Sequence, residues 1–187
     1  MFNKFIDFLK QHDLYDEEIF KYYWDNTFMF NYIDDELRRF IGCNFILDGN
    51  NCLKRIMACA PFIEDDRTIL INIHEYVHVF LMYHYIGKKC DIGMDIEVLA
   101  IFYEKLYVLE NNNLELDKYS NYLDSKIYYT NEKEYILGLA LRDKLNRLYD
   151  KGYSVKKLEK SAKRLVKREL IKSGINEFKN RVTRNMP

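Results

Sequence analysis

The chain has 187 residues, of which 48% are hydrophobic and 16% aromatic, so it is long enough to bury the core of one globular domain. Its charged fraction of 31% and its two prolines argue against a disordered chain. Seven glycines and two prolines also leave little turn material, which favours a fold of long helices.

Charge is balanced over the whole chain but uneven along it. From Lys151 onward there are 12 Lys and Arg residues and 3 Asp and Glu, which leaves 17 and 26 in the first 150 residues. Such asymmetry can indicate a segment that binds nucleic acid or a membrane surface. A basic, solvated helix docked on an acidic body is the simpler interpretation. No nucleic-acid partner is therefore expected, although the basic C-terminal helix leaves this open.

The cysteines and the apolar runs indicate the cellular compartment of the protein. The N-terminal stretch lacks the basic region of a signal peptide, and no apolar run reaches the roughly 20 residues that a membrane span needs. The cysteines form no CxxC pair, so we expect reduced thiols, a cytoplasmic protein and no membrane span. These cysteines are Cys43, Cys52, Cys59 and Cys90.

The segment 1–41 is predicted to form N-terminal helices, because its apolar residues recur at helical spacing. A first short helix starts near Phe2, and a longer helical region follows to about Ile41, where Gly42 ends it. The apolar stripe of the longer region consists of Ile19, Phe20, Tyr23, Phe30, Leu37 and Phe40.

A β-hairpin is predicted over 43–60. Two short apolar runs flank Asp48-Gly49-Asn50-Asn51, and Asp-Gly or Asn-Asn between such runs is typical of a hairpin turn. The hairpin directly precedes the next helix of the chain.

Helices are predicted for the rest of the chain. Segment 66–110 holds two, from about Thr68 to Ile86 and from about Met94 to Glu110. Segment 114–187 is a helical C-terminal part. Its predicted helices are one or two over Leu114–Tyr129, one that Thr130 or Asn131 caps and that runs to Tyr149, and the basic helix Val155–Ile171. The sequence thus predicts one mainly α (α+β) domain over 1–187, with a single β-hairpin.

The first of these helices carries an HExxH motif, His74-Glu75-Tyr76-Val77-His78. Residues four apart lie one helical turn above each other, so both imidazoles can reach one cation. Zinc accepts imidazole nitrogen, and a glutamate beside it can take a proton from water. The flanking residues are apolar, and a histidine or glutamate without a partner would be costly in such a helix. Zinc ligation by His74 and His78, with Glu75 as general base, is therefore favoured over a chance match.

The third ligand is expected from the next helix. Glu97 and Glu104 are the acidic residues of an otherwise apolar stretch, and because they lie seven apart they share one helix face. Ala100 between them allows a close approach to the HExxH helix. A buried carboxylate requires a metal or a hydrogen-bond partner. We predict Glu97 as zinc ligand and Glu104 as acceptor for a ligand histidine, with Glu104 as ligand or an ordinary salt-bridged Glu97 as alternatives.

These motifs resemble the thimet oligopeptidase and oligopeptidase F family of gluzincin metallopeptidases over about Thr68–Ala140. That family pairs HExxH with a later helix in which a zinc-binding Glu precedes a second Glu by seven positions, as Glu97 precedes Glu104 here. Its downstream helix supplies a tyrosine for transition-state stabilisation, and the matching residue is Tyr135. The resemblance implies a zincin-like domain, and zincins commonly place an edge strand such as the hairpin over the cleft.

A second resemblance is to the ImmA/IrrE-type regulatory metallopeptidases, which cut a repressor partner. They combine HExxH with a Glu-x-x-Ala helix, which Glu97 and Ala100 match. Glu104 and Tyr135 favour the first family.

The sequence therefore predicts a zinc metallopeptidase that acts on a peptide or protein substrate. Tyr135, Tyr128 and Tyr129 are the candidates for stabilising the oxyanion. The alternative from another class is a non-catalytic module in which zinc only ties two helices together. Such a structural site has four protein ligands, and no convincing fourth ligand is evident in the sequence, so catalysis is favoured. His12 and His84 receive no role.

Overall fold

The computed structural model describes residues 2–31, 41–126 and 132–172. Within them the chain is mainly helical with one small sheet, so the predicted α+β class is confirmed. The helices are α1 (Phe2–Gln11), α2 (Glu17–Asp25), α3 (Asp66–Met82), α4 (Met94–Asn111), α5 (Leu114–Lys126), α6 (Glu132–Tyr149) and α7 (Val155–Lys172). The strands are β1 (Thr27–Phe30), β2 (Gly42–Leu47) and β3 (Leu53–Pro61), in the order β1-β3-β2. None of these helices is long and apolar enough to cross a bilayer.

The predicted hairpin is confirmed. Strands β2 and β3 pair antiparallel, with Cys43 opposite Ala58 and Phe45 opposite Ile56. The carboxylate of Asp48 accepts the backbone N–H groups of two turn residues, each at 2.9 Å, which closes the connection. Because Ala58 and Ile56 are buried, this register turns Cys43 and Phe45 towards the helical core.

The predicted helical region as far as Ile41 is wrong in its middle part. Helix α2 ends before Asn26, whose N–H bonds to two carbonyl oxygens of the last turn at 3.0 and 3.2 Å. Thr27–Phe30 then forms β1, which pairs in parallel with β3. Aromatic and β-branched residues favour a strand, and this run holds three such residues. The rest of the predicted region, 32–40, lies outside the described residues.

Helix α3 is buried on nearly every side, as its sequence predicts. Its start is a capping box: the Asp65 carboxylate accepts the Thr68 N–H at 2.8 Å, and the Thr68 hydroxyl accepts the Asp65 N–H at 2.9 Å. The helix ends at Met82, and a short 3₁₀ turn replaces the predicted last turn. Gly87 then reverses the chain with a φ of +78°, a conformation that glycine adopts without strain.

Helix α4 packs along α3 and is itself almost entirely buried, from Ile96 to Val108. Ala100 is fully buried, as expected for a close approach between the two helices. Helices α6 and α7 cover the other side of α4, and the predicted basic helix is confirmed over Val155–Lys172.

Asn72 fixes α3, which carries HExxH, to two other elements. Its side chain is fully buried, accepts the Tyr23 hydroxyl at 2.8 Å, and donates to the carbonyl oxygens of Pro61 and Thr68 at 2.8 Å each. Replacing it leaves the Tyr23 hydroxyl and the Pro61 carbonyl buried without their partner.

We expect Asn72→Ala to lower the free energy of unfolding by about 2–4 kcal/mol, because two buried polar groups lose their partner. The measurement is urea unfolding followed by far-UV circular dichroism. Asn44→Ala, at an exposed position of β2, is the matched control and should change the stability by less than about 0.5 kcal/mol. Equal stability of the two variants would contradict the role assigned to Asn72.

Candidate metal centre

The structure brings three of the predicted ligands together. His74 and His78 stand one turn apart on α3, with ring centroids 4.9 Å apart. Glu97, in the first turn of α4, places one carboxylate oxygen 3.3 Å from Nε2 of His74 and the other 3.2 Å from Nε2 of His78. One ligand atom from each of the three residues lies within 4.8 Å of the others, so this His-His-Glu group could bind a metal ion. Across the described ranges no other group of His, Cys, Asp or Glu does so.

Glu104 orients one of the two histidines. Its Oε2 lies 3.0 Å from Nδ1 of His74, and because a carboxylate only accepts, Nδ1 donates the hydrogen. The other carboxylate oxygen accepts the Ser120 hydroxyl at 3.3 Å and lies 3.5 Å from the Lys105 ammonium group, which also contacts Ser120. The Nδ1 hydrogen bond directs Nε2 of His74 at Glu97 and His78, as metal sites require of a ligand histidine.

Glu75 lies beside this group with one free carboxylate oxygen. The residue is 4% exposed, and its Oε2 is buried without a hydrogen-bond partner among the described residues. The Cys43 thiol of β2 donates to the backbone carbonyl of Glu75 at 3.4 Å, and the Phe45 ring meets the His78 ring edge-to-face at 6.3 Å. Strand β2 therefore forms one wall of the site.

Burial and charge separate the acidities of the three carboxyl groups. Burial raises the pKa of Glu97, but the neighbouring His74 and His78 outweigh it and hold that pKa well below its usual range. Burial likewise opposes ionisation of Glu104, yet His74 and Lys105 lower its pKa. Burial raises the pKa of Glu75 above its ordinary value. The surroundings thus favour the ionised form of Glu97 and Glu104 and disfavour that of Glu75.

The pKa of His74 shifts upward, in the opposite direction to those of Glu97 and Glu104. Burial lowers its pKa, but the charges of Glu97 and Glu104 outweigh burial and raise the pKa well above the ordinary value. A metal would require the neutral imidazole at Nε2, so metal binding at His74 would compete with a proton.

The residues present fit a metal ion. Glu97 Oε1, His78 Nδ1 and Glu75 Oε2 are buried atoms without a hydrogen-bond partner in the described part of the chain. The 3.3 Å approach of Glu97 Oε1 to His74 is close enough for an ion pair but is not a directed hydrogen bond. Buried polar atoms without partners destabilise a fold. A cation between Glu97 and the rings of His74 and His78 would give Oε1 of Glu97 a partner. Two imidazoles and one carboxylate are a donor set that zinc accepts.

The predicted oxyanion residues are not placed. Tyr128 and Tyr129 lie outside the described residues, and so does the side chain of Tyr135 on α6. Gly138, three residues further, has a packing role, because a Cβ at this position would come within 2.6 Å of the Ile101 side chain on α4.

Sequence reasoning missed several residues that line or support the site. Lys105 was the one with a local signal, because a lysine inside an apolar helix next to a buried glutamate indicates an ion pair. Ser120, Cys43 and Phe45 come from other elements, and no local pattern connects them to HExxH.

Searches against known protein families, curated proteins and solved structures found no significant match for this chain.

Proposed function

We propose that this protein is a zinc-dependent metallopeptidase. The observation that carries the proposal is the convergence of His74, His78 and Glu97 beside a buried Glu75 with a free carboxylate oxygen. Three protein ligands are the number found in catalytic zinc sites, whereas structural sites are closed by four. The Cys43 thiol is engaged with a backbone carbonyl and does not complete the ligand group.

Each residue has a distinct task in the proposed hydrolysis. His74, His78 and Glu97 would hold zinc, which when bound supplies a Lewis acid that polarises the peptide carbonyl and acidifies water. Glu75 accepts a proton from the attacking water at its free oxygen and later gives it to the amine that leaves. Glu104 keeps His74 oriented through Nδ1.

The proposed substrate is an extended peptide. Strand β2 is an edge of the sheet, and no strand of the described residues pairs with its outer side. Its inner side chains Cys43 and Phe45 contact the Glu75 carbonyl and the His78 ring, so a peptide added to this edge would run past the site. Backbone hydrogen bonds to an edge strand bind extended peptides with little demand on sequence.

The contact between Glu104 and His74 supports the resemblance to the thimet oligopeptidase and oligopeptidase F family. In that family's pattern the first Glu binds zinc, and a second Glu follows seven positions later on the same helix face. Here Glu97 faces Nε2 of both histidines, and Glu104 contacts Nδ1 of His74. The ImmA/IrrE-type resemblance requires only Glu97 and Ala100, so this contact gives it no additional support.

We expect one zinc ion per chain, lost in His78→Ala, because removing one of two imidazoles leaves an incomplete ligand group. The measurement is elemental analysis of protein purified without chelator, repeated after zinc addition and desalting. His84→Ala, an exposed histidine outside the group, is the matched control and should keep its zinc. Wild-type protein without stoichiometric metal after zinc addition would contradict the assignment.

Peptidase activity is tested with a mixture of synthetic peptides analysed by mass spectrometry. Zinc-loaded protein should yield fragments, and the chelated protein should yield none until zinc is restored. Absence of cleavage by protein that demonstrably holds zinc would favour the non-catalytic module.

A further inference from the structure

Helix α7 presents a continuous basic face to solvent. Its exposed cationic residues recur one and two turns apart and extend over about 18 Å of helix at 1.5 Å per residue. This basic face consists of Lys156, Lys157, Lys160, Lys163, Arg164, Lys167 and Arg168.

Most of the basic face is not neutralised by the residues that the structure describes. Lys163 is paired with Glu159 at 3.0 Å and lies 3.7 Å from Asp95, and Lys157 lies over the Tyr153 ring at 5.6 Å. The other five cations have no ion pair with any described residue. The exposure of these cations agrees with the basic, solvated helix that the sequence predicts. Five like charges within about four turns repel one another until an anion binds.

The opposite side of α7 docks the helix firmly. Val155, Leu158, Ala162 and Val166 are buried, and the helix packs on α4 and α6. This apolar stripe is already used in the core and is not free to enter a bilayer. The cations are thus presented on a rigid support. Three of them, Arg164, Lys167 and Arg168, line with Ile171 a surface hollow of about 360 Å³.

We infer that the basic face binds double-stranded DNA through its phosphate backbone. A face of about 18 Å covers about five base pairs at 3.4 Å each. The major groove of B-DNA, about 12 Å wide, admits an α-helix, whereas the deep, narrow major groove of duplex RNA does not. The acidic excess of the first 150 residues repels phosphate and favours contact through the C-terminal part of the chain, which contains α7. This inference does not depend on the metal centre or on the proposed peptidase activity.

The test is fluorescence anisotropy of a labelled DNA duplex of mixed sequence titrated with the full chain at several salt concentrations. We expect log K to fall against log[salt] with a slope of about −4 to −5, as about five phosphates are contacted. The triple variant Lys160→Glu/Arg164→Glu/Lys167→Glu should bind at least about 100-fold more weakly, with a slope reduced by about 3.

The matched control is Lys10→Glu/Lys21→Glu/Lys54→Glu, which reverses three exposed lysines on α1, α2 and β3 and changes the net charge equally. It should retain DNA binding. Circular dichroism of both variants shows whether each is folded, and Lys160→Gln/Lys167→Gln repeats the test with a milder change. Equal weakening by the control overturns the inference. The inference is also overturned if the wild-type protein does not bind the DNA duplex, or if it binds a duplex RNA or a phosphatidylserine vesicle more tightly.

Discussion

Replacing Glu75 by glutamine is expected to leave the metal bound and to reduce peptide hydrolysis by about 10²–10⁴-fold, the usual contribution of a general base. Glu75 does not belong to the group of His74, His78 and Glu97 that could bind a metal, and its Oε2 is buried with no hydrogen-bond partner in the described chain. An amide at this position keeps the volume of the side chain but cannot take a proton from water. The loss should therefore appear in kcat, with the zinc content unchanged.

The measurement pairs single-turnover peptide cleavage with elemental analysis of the same protein sample. Glu64→Gln is the matched control, because Glu64 is exposed just before α3 and undergoes the same chemical change. It should cleave like the wild type. Cleavage by zinc-loaded Glu75→Gln at the wild-type rate would indicate a contaminating protease or a mechanism that does not use Glu75.

The convergence of His74, His78 and Glu97 could be predicted from the sequence because all three lie on long, strongly periodic helices. A spacing of four residues on α3 places His74 and His78 on one side of the helix whatever the surrounding fold. The apolar surroundings of Glu97 and Glu104 require a partner for each carboxylate. The contact from Glu104 to His74 followed from the same requirement. Each of these inferences depends on helical spacing and on the cost of burying charge.

The remaining features depend on tertiary structure. Thr27–Phe30 continues an apolar stripe of helical spacing, and only its pairing with β3, about 30 residues later in the chain, makes it a strand. Likewise Cys43 and Phe45 reach the site because the register of the hairpin turns them inward. Ser120 reaches Glu104 because α5 folds back onto α4. Contacts between elements distant in sequence leave no local periodicity to read.

The two carboxylates of α4 provide the sharpest test of the site. We expect Glu97→Ala to abolish stoichiometric zinc binding, because Glu97 is the residue whose two oxygens face Nε2 of both histidines. Glu104→Gln should keep the metal but weaken zinc affinity or activity by about 10–100-fold, the usual effect of losing a partner that orients a ligand histidine. Glu115→Gln, an exposed carboxylate on α5, is the matched control and should leave zinc affinity unchanged.

The measurement is competition between each variant and a chromophoric zinc chelator. Glu104→Gln also leaves the buried Lys105 ammonium group without the carboxylate that lies 3.5 Å away, and this can destabilise the fold. The double variant Glu104→Gln/Lys105→Met removes both charges and separates that effect from metal affinity. If Glu104→Gln empties the site in a folded protein while Glu97→Ala stays loaded, the ligand assignment is reversed. The metal would then lie on the Nδ1 side of His74. The contacts of Glu97 with Nε2 of His74 and His78 would then be ion pairs without a metal.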